Sequence, residues 1–133
     1  MKNPQVLILS RNEFQRRTMA DLARCNELTV QASGARGADD WIQRVTRGEC
    51  RPSVVVIDLD EPSLEGVRRI EELRKIPVER RPRVVGLAGR THQLLGSDGG
   101  RLDLEDVVTT PLDFGCFARS VARQALEARL AEA

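Results

Sequence analysis

Asp58 is the residue of this chain that is best placed to do chemistry. It ends the apolar run 54–57, and Pro62 and Gly66 follow it. Such a run is typical of a strand buried on both faces of a parallel sheet. Open α/β sheets hold their functional groups at the carboxyl ends of these strands. We therefore expect a site at Asp58, with a chemistry that depends on the groups brought there by the other strand ends.

The histidine and the cysteines offer weaker candidates. His92 is the only histidine and has no evident partner to orient it, so it is interpreted as a surface residue. The cysteines are odd in number and far apart, and they lack the paired spacings of zinc or redox motifs. We expect reduced thiols, two of them packed as small apolar groups. The cysteines in question are Cys25, Cys50 and Cys116.

Length and composition indicate one globular domain over residues 1–133. Apolar residues make up 41% of the chain and charged residues 31%, a mixture that excludes disorder. The net charge of +1 gives no field that would attract nucleic acid or a membrane surface. No leader-like or membrane-spanning apolar segment is evident, so we expect a cytoplasmic protein.

Five short apolar runs alternate with helical patterns, and these elements must position Asp58. Strands are predicted at 6–9, 28–32, 54–58, 84–88 and 107–109. This alternation predicts an α/β fold with a doubly wound five-stranded parallel sheet and helices on both faces.

Each predicted helix has an apolar stripe. The first is capped by Ser10 or Asn12, and the second starts at Asp39 or Asp40 and ends at Gly48. In chain order, the stripes are Phe14, Thr18, Leu22 and Cys25; Trp41, Ile42 and Val45; Leu64, Val67, Ile70 and Leu73; and Phe117, Val121, Ala125 and Ala128.

The fourth crossover, between Gly89 and Asp106, breaks this pattern. It contains three glycines within the five residues 96–100. Each glycine costs a helix about 1 kcal/mol relative to alanine. We expect the fourth crossover helix to be short, displaced or mobile.

Three loops together resemble the receiver domain of bacterial two-component response regulators, including the chemotaxis type. Pro62 and Gly66 follow Asp58 by four and eight residues, as they follow the phosphoacceptor aspartate of that family. Ala88 and Gly89 stand where the family has its switch hydroxyl and a small residue, and Thr110-Pro111 stands where it has Lys-Pro. The resemblance implies a flavodoxin-like strand order of 2-1-3-4-5 and, in the family, transfer of a phosphoryl group from phosphohistidine to the aspartate.

The chain departs from the family at every position that supports this transfer. The resemblance implies two acidic residues after the first strand that hold Mg²⁺, a hydroxyl that grips the phosphoryl group and a lysine that pairs with it. Ser10 and Arg11 replace the acidic pair, Ala88 has no hydroxyl, and Thr110 has no charge. Val107 replaces the aromatic residue that couples to the switch hydroxyl.

These departures predict that no metal cofactor is bound. Two unit charges 4 Å apart interact by about 4 kcal/mol at an effective dielectric constant of 20, and a divalent ion beside Arg11 would face about twice that repulsion. We expect the Arg11 guanidinium to take the place of the metal by pairing with Asp58. Asp58 would then be a vestigial phosphoacceptor in a degenerate pocket formed with Ser10, Arg11, Asp60, Ala88 and Thr110.

The sequence thus predicts a pseudo-receiver, a non-enzymatic signalling module that binds a protein partner independently of phosphorylation. The expected contact surface is the fourth crossover, the fifth strand and the last helix, where receivers usually dimerise. Val107, Arg119 and Arg123 are the candidate contact residues, and a homodimer is one possible assembly. Direct DNA binding is not expected, since the chain has no basic recognition helix.

Two alternatives remain open. Glu13, Asp60 and Glu61 could rebuild an acidic cup and restore phosphorylation of Asp58. The chain could also be the amino-terminal module of a larger transcription regulator, because the segment 127–133 reads like a helix that could continue into a linker.

Overall fold

The protein folds around a parallel β-sheet whose strands alternate with helices along the sequence. A computed structural model describes residues 4–89 and 104–132. The strands are β1 (Val6–Leu9), β2 (Val30–Ser33), β3 (Val54–Asp58), β4 (Arg83–Gly89) and β5 (Asp106–Thr110). The α-helices within these ranges are α1 (Glu13–Cys25), α2 (Ala35–Thr46), α3 (Gly66–Leu73) and α4 (Phe114–Glu132), and short 3₁₀ turns lie at Pro62–Leu64 and Val78–Arg80.

The strand order is β2-β1-β3-β4-β5, and every pairing is parallel. This confirms the predicted doubly wound sheet and its order. Because the strands are parallel, their carboxyl ends lie along one edge of the sheet. That edge carries Ser10, Asp58, Gly89 and Thr110, each at or directly after the end of a strand.

Apolar side chains cover both faces of the sheet. Successive residues of a strand point to opposite faces. Val54 and Val56 accordingly belong to one core cluster, while Val55 and Ile57 belong to the other. The apolar run before Asp58 is therefore fully buried, which fixes the position at which the aspartate leaves the core.

The helices α2, α3 and α4 bury most of the residues that the sequence predicts. Ile42 and Val45 are buried from α2, Ile70 and Leu73 from α3, and Phe117, Val121 and Ala125 from α4. Leu64, in the 3₁₀ turn before α3, is buried as well. The exceptions are Trp41 and Ala128, which are partly buried, and Val67, which is exposed.

The predicted start of α2 is wrong. The helix begins at Ala35 with Gly34 as its N-cap residue, four residues before Asp39. Its end agrees with the prediction, because Gly48 follows the helix with a left-handed φ of 79°.

The predicted inner face of α1 is wrong. Asn12 caps the helix as expected, since its side-chain oxygen accepts from the Gln15 N–H at 2.9 Å. However, Phe14 is 74% exposed, and the helix buries Met19, Ala20 and Ala23 instead. Of the predicted stripe, Phe14 and Cys25 are exposed, whereas Thr18 and Leu22 are partly buried and Leu22 packs against the margin of the core cluster that contains Met19.

Two predictions concern segments that the structure does not describe. The fourth crossover helix and His92 fall within residues 90–103, outside the described residues. In the part of the chain that is described, no helix combines the length and the apolar character needed to cross a membrane.

Candidate functional site

Asp58 lies at the carboxyl end of β3, half-buried, with acidic residues as its charged neighbours. Its Oδ1 accepts a hydrogen bond from the Asp60 N–H at 3.0 Å. Burial raises the pKa of the Asp58 carboxyl; the Asp60 and Glu61 backbone N–H groups act in the opposite direction, and the negative charges of these two residues raise it further. Among the described residues, no cation contributes to this shift. Ionised Asp58 is thus poorly stabilised.

The predicted ion pair between Arg11 and Asp58 is not formed. Arg11 Nη1 donates to Glu61 Oε1 at 3.1 Å instead. The Arg11 side chain is 66% exposed, so the guanidinium extends over the surface rather than into the edge of the sheet. Arginine carries a long side chain whose charge favours water, and Glu61 offers a partner there. The spacing of residues could not distinguish two acidic partners that are three positions apart.

Ser10 is fully buried, and its hydroxyl has no hydrogen-bond partner within the described residues. Arg16, from α1, covers the same strand end, because its Nη1 donates to the Ser10 carbonyl oxygen at 2.7 Å and to that of Arg11 at 3.3 Å. This role of Arg16 had no signal in the sequence, because the residue belongs to α1 and not to a strand end. The end of β1 is therefore covered by the Arg16 guanidinium, whereas the Arg11 guanidinium lies over the surface.

Asp60 connects the ends of three adjacent strands. Its Oδ2 accepts from the Gly89 N–H at 2.6 Å and from the Thr110 hydroxyl at 3.2 Å. Gly89 ends β4 and Thr110 ends β5, and the two residues are register partners. We call these two hydrogen bonds the Asp60 bridge. Asp60 and Thr110, two residues of the predicted degenerate pocket, are thus in direct contact.

Glu61 and Glu13 do not complete an acidic cup around Asp58. Besides Arg11, Glu61 Oε1 accepts from the Ser63 hydroxyl at 2.9 Å and the Ser63 N–H at 3.3 Å. These hydrogen bonds hold the pKa of the Glu61 carboxyl below its usual value, and the bonds from Ser63 have the largest effect. Glu13 pairs with Arg17 at 3.4 Å. The two glutamates are thus engaged by other partners.

Ala88 and Val107 occupy apolar surroundings. Ala88 is fully buried in the core cluster that contains Ile57 and Leu59, and Val107 packs at the margin of this cluster. Neither side chain can hydrogen-bond an anion.

The close packing around Gly66 explains why a glycine stands eight residues after Asp58. A Cβ at this position would lie 3.0 Å from Leu59 Cδ2, 3.2 Å from Ile57 Cγ2 and 3.4 Å from the Asp58 carbonyl oxygen. The start of α3 therefore approaches the end of β3 so closely that a side chain at Gly66 would force its neighbours to move.

Arg119 and Arg123 line a groove between β5 and α4, which we call the β5–α4 groove. Arg123 pairs with Asp106 at 3.2 Å, and Arg119 donates to Cys116 Sγ at 3.4 Å. The remaining lining residues are Val107, Val108, Thr109 and Ser120. The predicted contact residues thus share one surface.

The cysteine prediction is partly wrong. Cys50 is buried, but Cys25 and Cys116 are both exposed, and all three thiols are free. One cysteine, rather than two, packs as a small apolar group. Burial raises the pKa of the Cys50 thiol, although the Arg44 charge acts in the opposite direction.

Solved structures resemble this chain over nearly its whole length. The signal receiver domain of a Luxo repressor protein from Vibrio parahaemolyticus has a TM-score of 0.78 at 17% identity, covering 98% of this chain and 96% of that chain. A chemotaxis response regulator of Vibrio cholerae has a TM-score of 0.74 at 14% identity, covering 92% and 99%. This chain has the fold of response-regulator receivers. NtrX from Brucella abortus is similar to this chain over part of its own length: the TM-score is 0.74 at 17% identity, with 98% of this chain but 28% of that chain covered.

The likeness is one of structure. No model of a known protein family matches the sequence, and neither does any curated protein.

The receiver fold implies a magnesium ion beside the aspartate, and the residues present do not fit one. Mg²⁺ prefers carboxylate and water oxygens in an octahedral shell. Ser10 and Arg11 stand at the end of β1, and Arg16 adds a second positive charge there. In residues 4–89 and 104–132, no group of three or more His, Cys, Asp and Glu side chains is arranged to hold a metal ion.

Proposed function

We propose that this chain is a pseudo-receiver, a signalling module that binds a protein partner and does not transfer a phosphoryl group. The observation that carries this proposal is the charge distribution around Asp58. The charged groups that act on the Asp58 carboxylate are Asp60 and Glu61, both negative, and the guanidinium of Arg11 is paired with Glu61. A phosphoryl group on Asp58 would add negative charge to this acidic surface, and Thr110, which stands where the receiver resemblance has a lysine, brings no charge to balance it.

The proposal includes the absence of enzymatic activity. Phosphoryl transfer depends almost entirely on positioning and on electrostatic stabilisation by cations and donors. Ala88 offers no hydroxyl, and the Thr110 hydroxyl is engaged by Asp60. Neither of these two residues therefore supplies a free donor for a transferring phosphoryl group.

A magnesium titration tests the electrostatic argument. We expect the backbone amide resonances of Asp58 and Asp60 to show no saturable shift up to low millimolar Mg²⁺ in the wild-type protein. The matched variant Ser10→Asp/Arg11→Asp places two carboxylates at the same strand end and should gain saturable binding. Saturable binding beside Asp58 in the wild type would contradict the proposal.

The β5–α4 groove is the surface that we propose for the partner. It presents part of the Val107 side chain together with the exposed guanidinium groups of Arg119 and Arg123, while Val108, which also lines it, is buried. Arginine is enriched at protein interfaces and among their energetically dominant residues. The groove also contains Asp106, so it carries both signs of charge. Such a surface can be self-complementary about a two-fold axis, which makes a homodimer one form of this interaction.

A second candidate function is that of a receiver module within a larger regulator. The observation that favours it is the match to NtrX, of which this chain covers 28%. Sequencing the gene beyond codon 133 would test this candidate: an open reading frame that continues into a second domain supports it, and an immediate stop codon contradicts it.

A further inference from the structure

Asp60 fills an anion position at the edge of the sheet with the chain's own carboxylate. A backbone N–H and a hydroxyl converge on one oxygen, Asp60 Oδ2, at 2.6 Å and 3.2 Å. Hydrogen bonds to an ionised acceptor are shorter and stronger than those between neutral groups. The donors belong to β4 and β5, whereas the acceptor follows β3, so these contacts join three strands at their carboxyl ends.

The space for this carboxylate exists because residue 89 is a glycine. A Cβ on Gly89 would lie 3.2 Å from Asp60 Oδ2 and 3.6 Å from Thr110 Oγ1. The first of these distances is tighter than ordinary van der Waals contact, so a larger residue would press on the carboxylate. The glycine and the aspartate are thus matched in shape as well as in hydrogen bonding.

The Asp60 bridge is directly continuous with the proposed partner surface. Thr110 is the last residue of β5, and the three residues before it line the β5–α4 groove. Helix α4 begins only four positions after Thr110, at Phe114. The position of Thr110 therefore constrains both walls of the groove.

We propose that the Asp60 bridge is a built-in conformational latch: the Asp60 carboxylate holds the ends of β4 and β5, and with them the β5–α4 groove, in one arrangement without any added anion. This goes beyond the proposed function, because it assigns a fixed conformation to the partner surface and names the residue that sets it. An external anion could reach the Gly89 N–H and the Thr110 hydroxyl only by displacing Asp60.

Amide hydrogen exchange of the intact chain tests the latch. In Asp60→Ala, we expect the Gly89 amide to exchange about tenfold faster or more, since a hydrogen bond to a charged group is lost. Asp60→Asn keeps an acceptor oxygen without the charge and should give an intermediate rate. Glu61→Gln is the matched control, because it removes a neighbouring carboxylate that does not contact Gly89 or Thr110, and its Gly89 rate should equal that of the wild type.

Backbone chemical shifts measured on the same samples test the connection to the groove. Asp60→Ala should shift the amide resonances of Val108, Thr109 and Arg119, whereas Glu61→Gln should leave them in place. An unchanged Gly89 rate in folded Asp60→Ala would overturn the latch. Unchanged amide resonances of Val108, Thr109 and Arg119 in Asp60→Ala would overturn the effect of the latch on the partner surface. Neither result depends on whether Asp58 accepts a phosphoryl group, so the two proposals can fail separately.

Discussion

The ionisation of Asp58 is unfavourable to the folded state. Its pKa is raised, chiefly by burial and further by the nearby charges of Asp60 and Glu61. The carboxyl is protonated in the folded and the unfolded chain at pH values below the ordinary aspartate pKa, where it has no such cost. The cost develops as the pH rises through the unfolded pKa and is complete above the folded pKa. Asp58 therefore contributes stability at acidic pH that is lost towards neutral pH.

Asp58→Asn should accordingly raise the free energy of unfolding at pH 7 in the presence of EDTA. The asparagine oxygen can still accept from the Asp60 N–H, so the substitution removes mainly the charge. Urea unfolding of both proteins at a series of pH values measures the effect. The gain should shrink as the pH falls below the ordinary aspartate pKa; a variant that is less stable at pH 7, or a gain that is independent of pH, would contradict this account.

The residue types of the site could be predicted from the sequence, but their pairing could not. Ser10, Arg11, Ala88 and Thr110 were implied as site positions by the resemblance to receivers, and each lies within two residues of the end of a strand. The partner of Arg11 depends on which carboxylate its long, flexible side chain can reach while the guanidinium stays hydrated. Glu61 meets this condition better than half-buried Asp58. The contact between Asp60 and Gly89 spans 29 residues and had no signal in the sequence.

At the scale of elements, strands were easier to predict than helix faces. A run such as 54–57 is apolar without interruption, so its burial does not depend on register. The stripe proposed for α1 competes with a second stripe through Met19, Ala20 and Ala23, which is the buried one. Alanines contribute little to an apolar pattern in a sequence. They nevertheless allow a helix to pack closely against its neighbours, and this packing determines which face of the helix is buried.

The β5–α4 groove gives a prediction at this scale. Arg119→Ala and Arg123→Ala should each weaken self-association or partner binding by at least about tenfold, as expected for arginines in an interface. Stability should change by less than about 1 kcal/mol, because the pair of Arg123 with Asp106 is largely exposed. Sedimentation equilibrium measures self-association, and urea unfolding checks the fold.

Arg24→Ala is the matched control for these variants. Arg24 is an exposed arginine on α1 that pairs with Asp21 at 3.5 Å, outside the β5–α4 groove. If Arg24→Ala weakens association as much as the α4 variants do, the binding face lies elsewhere.

For the whole molecule, the receiver fold and the receiver chemistry have separate requirements. The fold needs buried strands, crossover helices and a close approach at Gly66, and residues 4–89 and 104–132 supply the five-stranded sheet, the helices of the first three crossovers and that approach. The chemistry needs a metal site and a set of donors beside Asp58. In this chain the Arg16 guanidinium covers the end of β1, and the donors Gly89 and Thr110 are held by Asp60. A fold can thus persist while its site takes another role.

The most direct test of the pseudo-receiver proposal is intact-mass spectrometry after incubation with a small phosphodonor, such as acetyl phosphate, and Mg²⁺. A receiver that is known to be phosphorylated by this donor serves as the positive control. The Asp58→Asn variant reveals whether any added mass comes from modification of other residues. We predict that the wild-type protein keeps its unmodified mass under conditions in which the active receiver is phosphorylated. An added phosphoryl group on the wild type that is missing from Asp58→Asn would contradict the central claim.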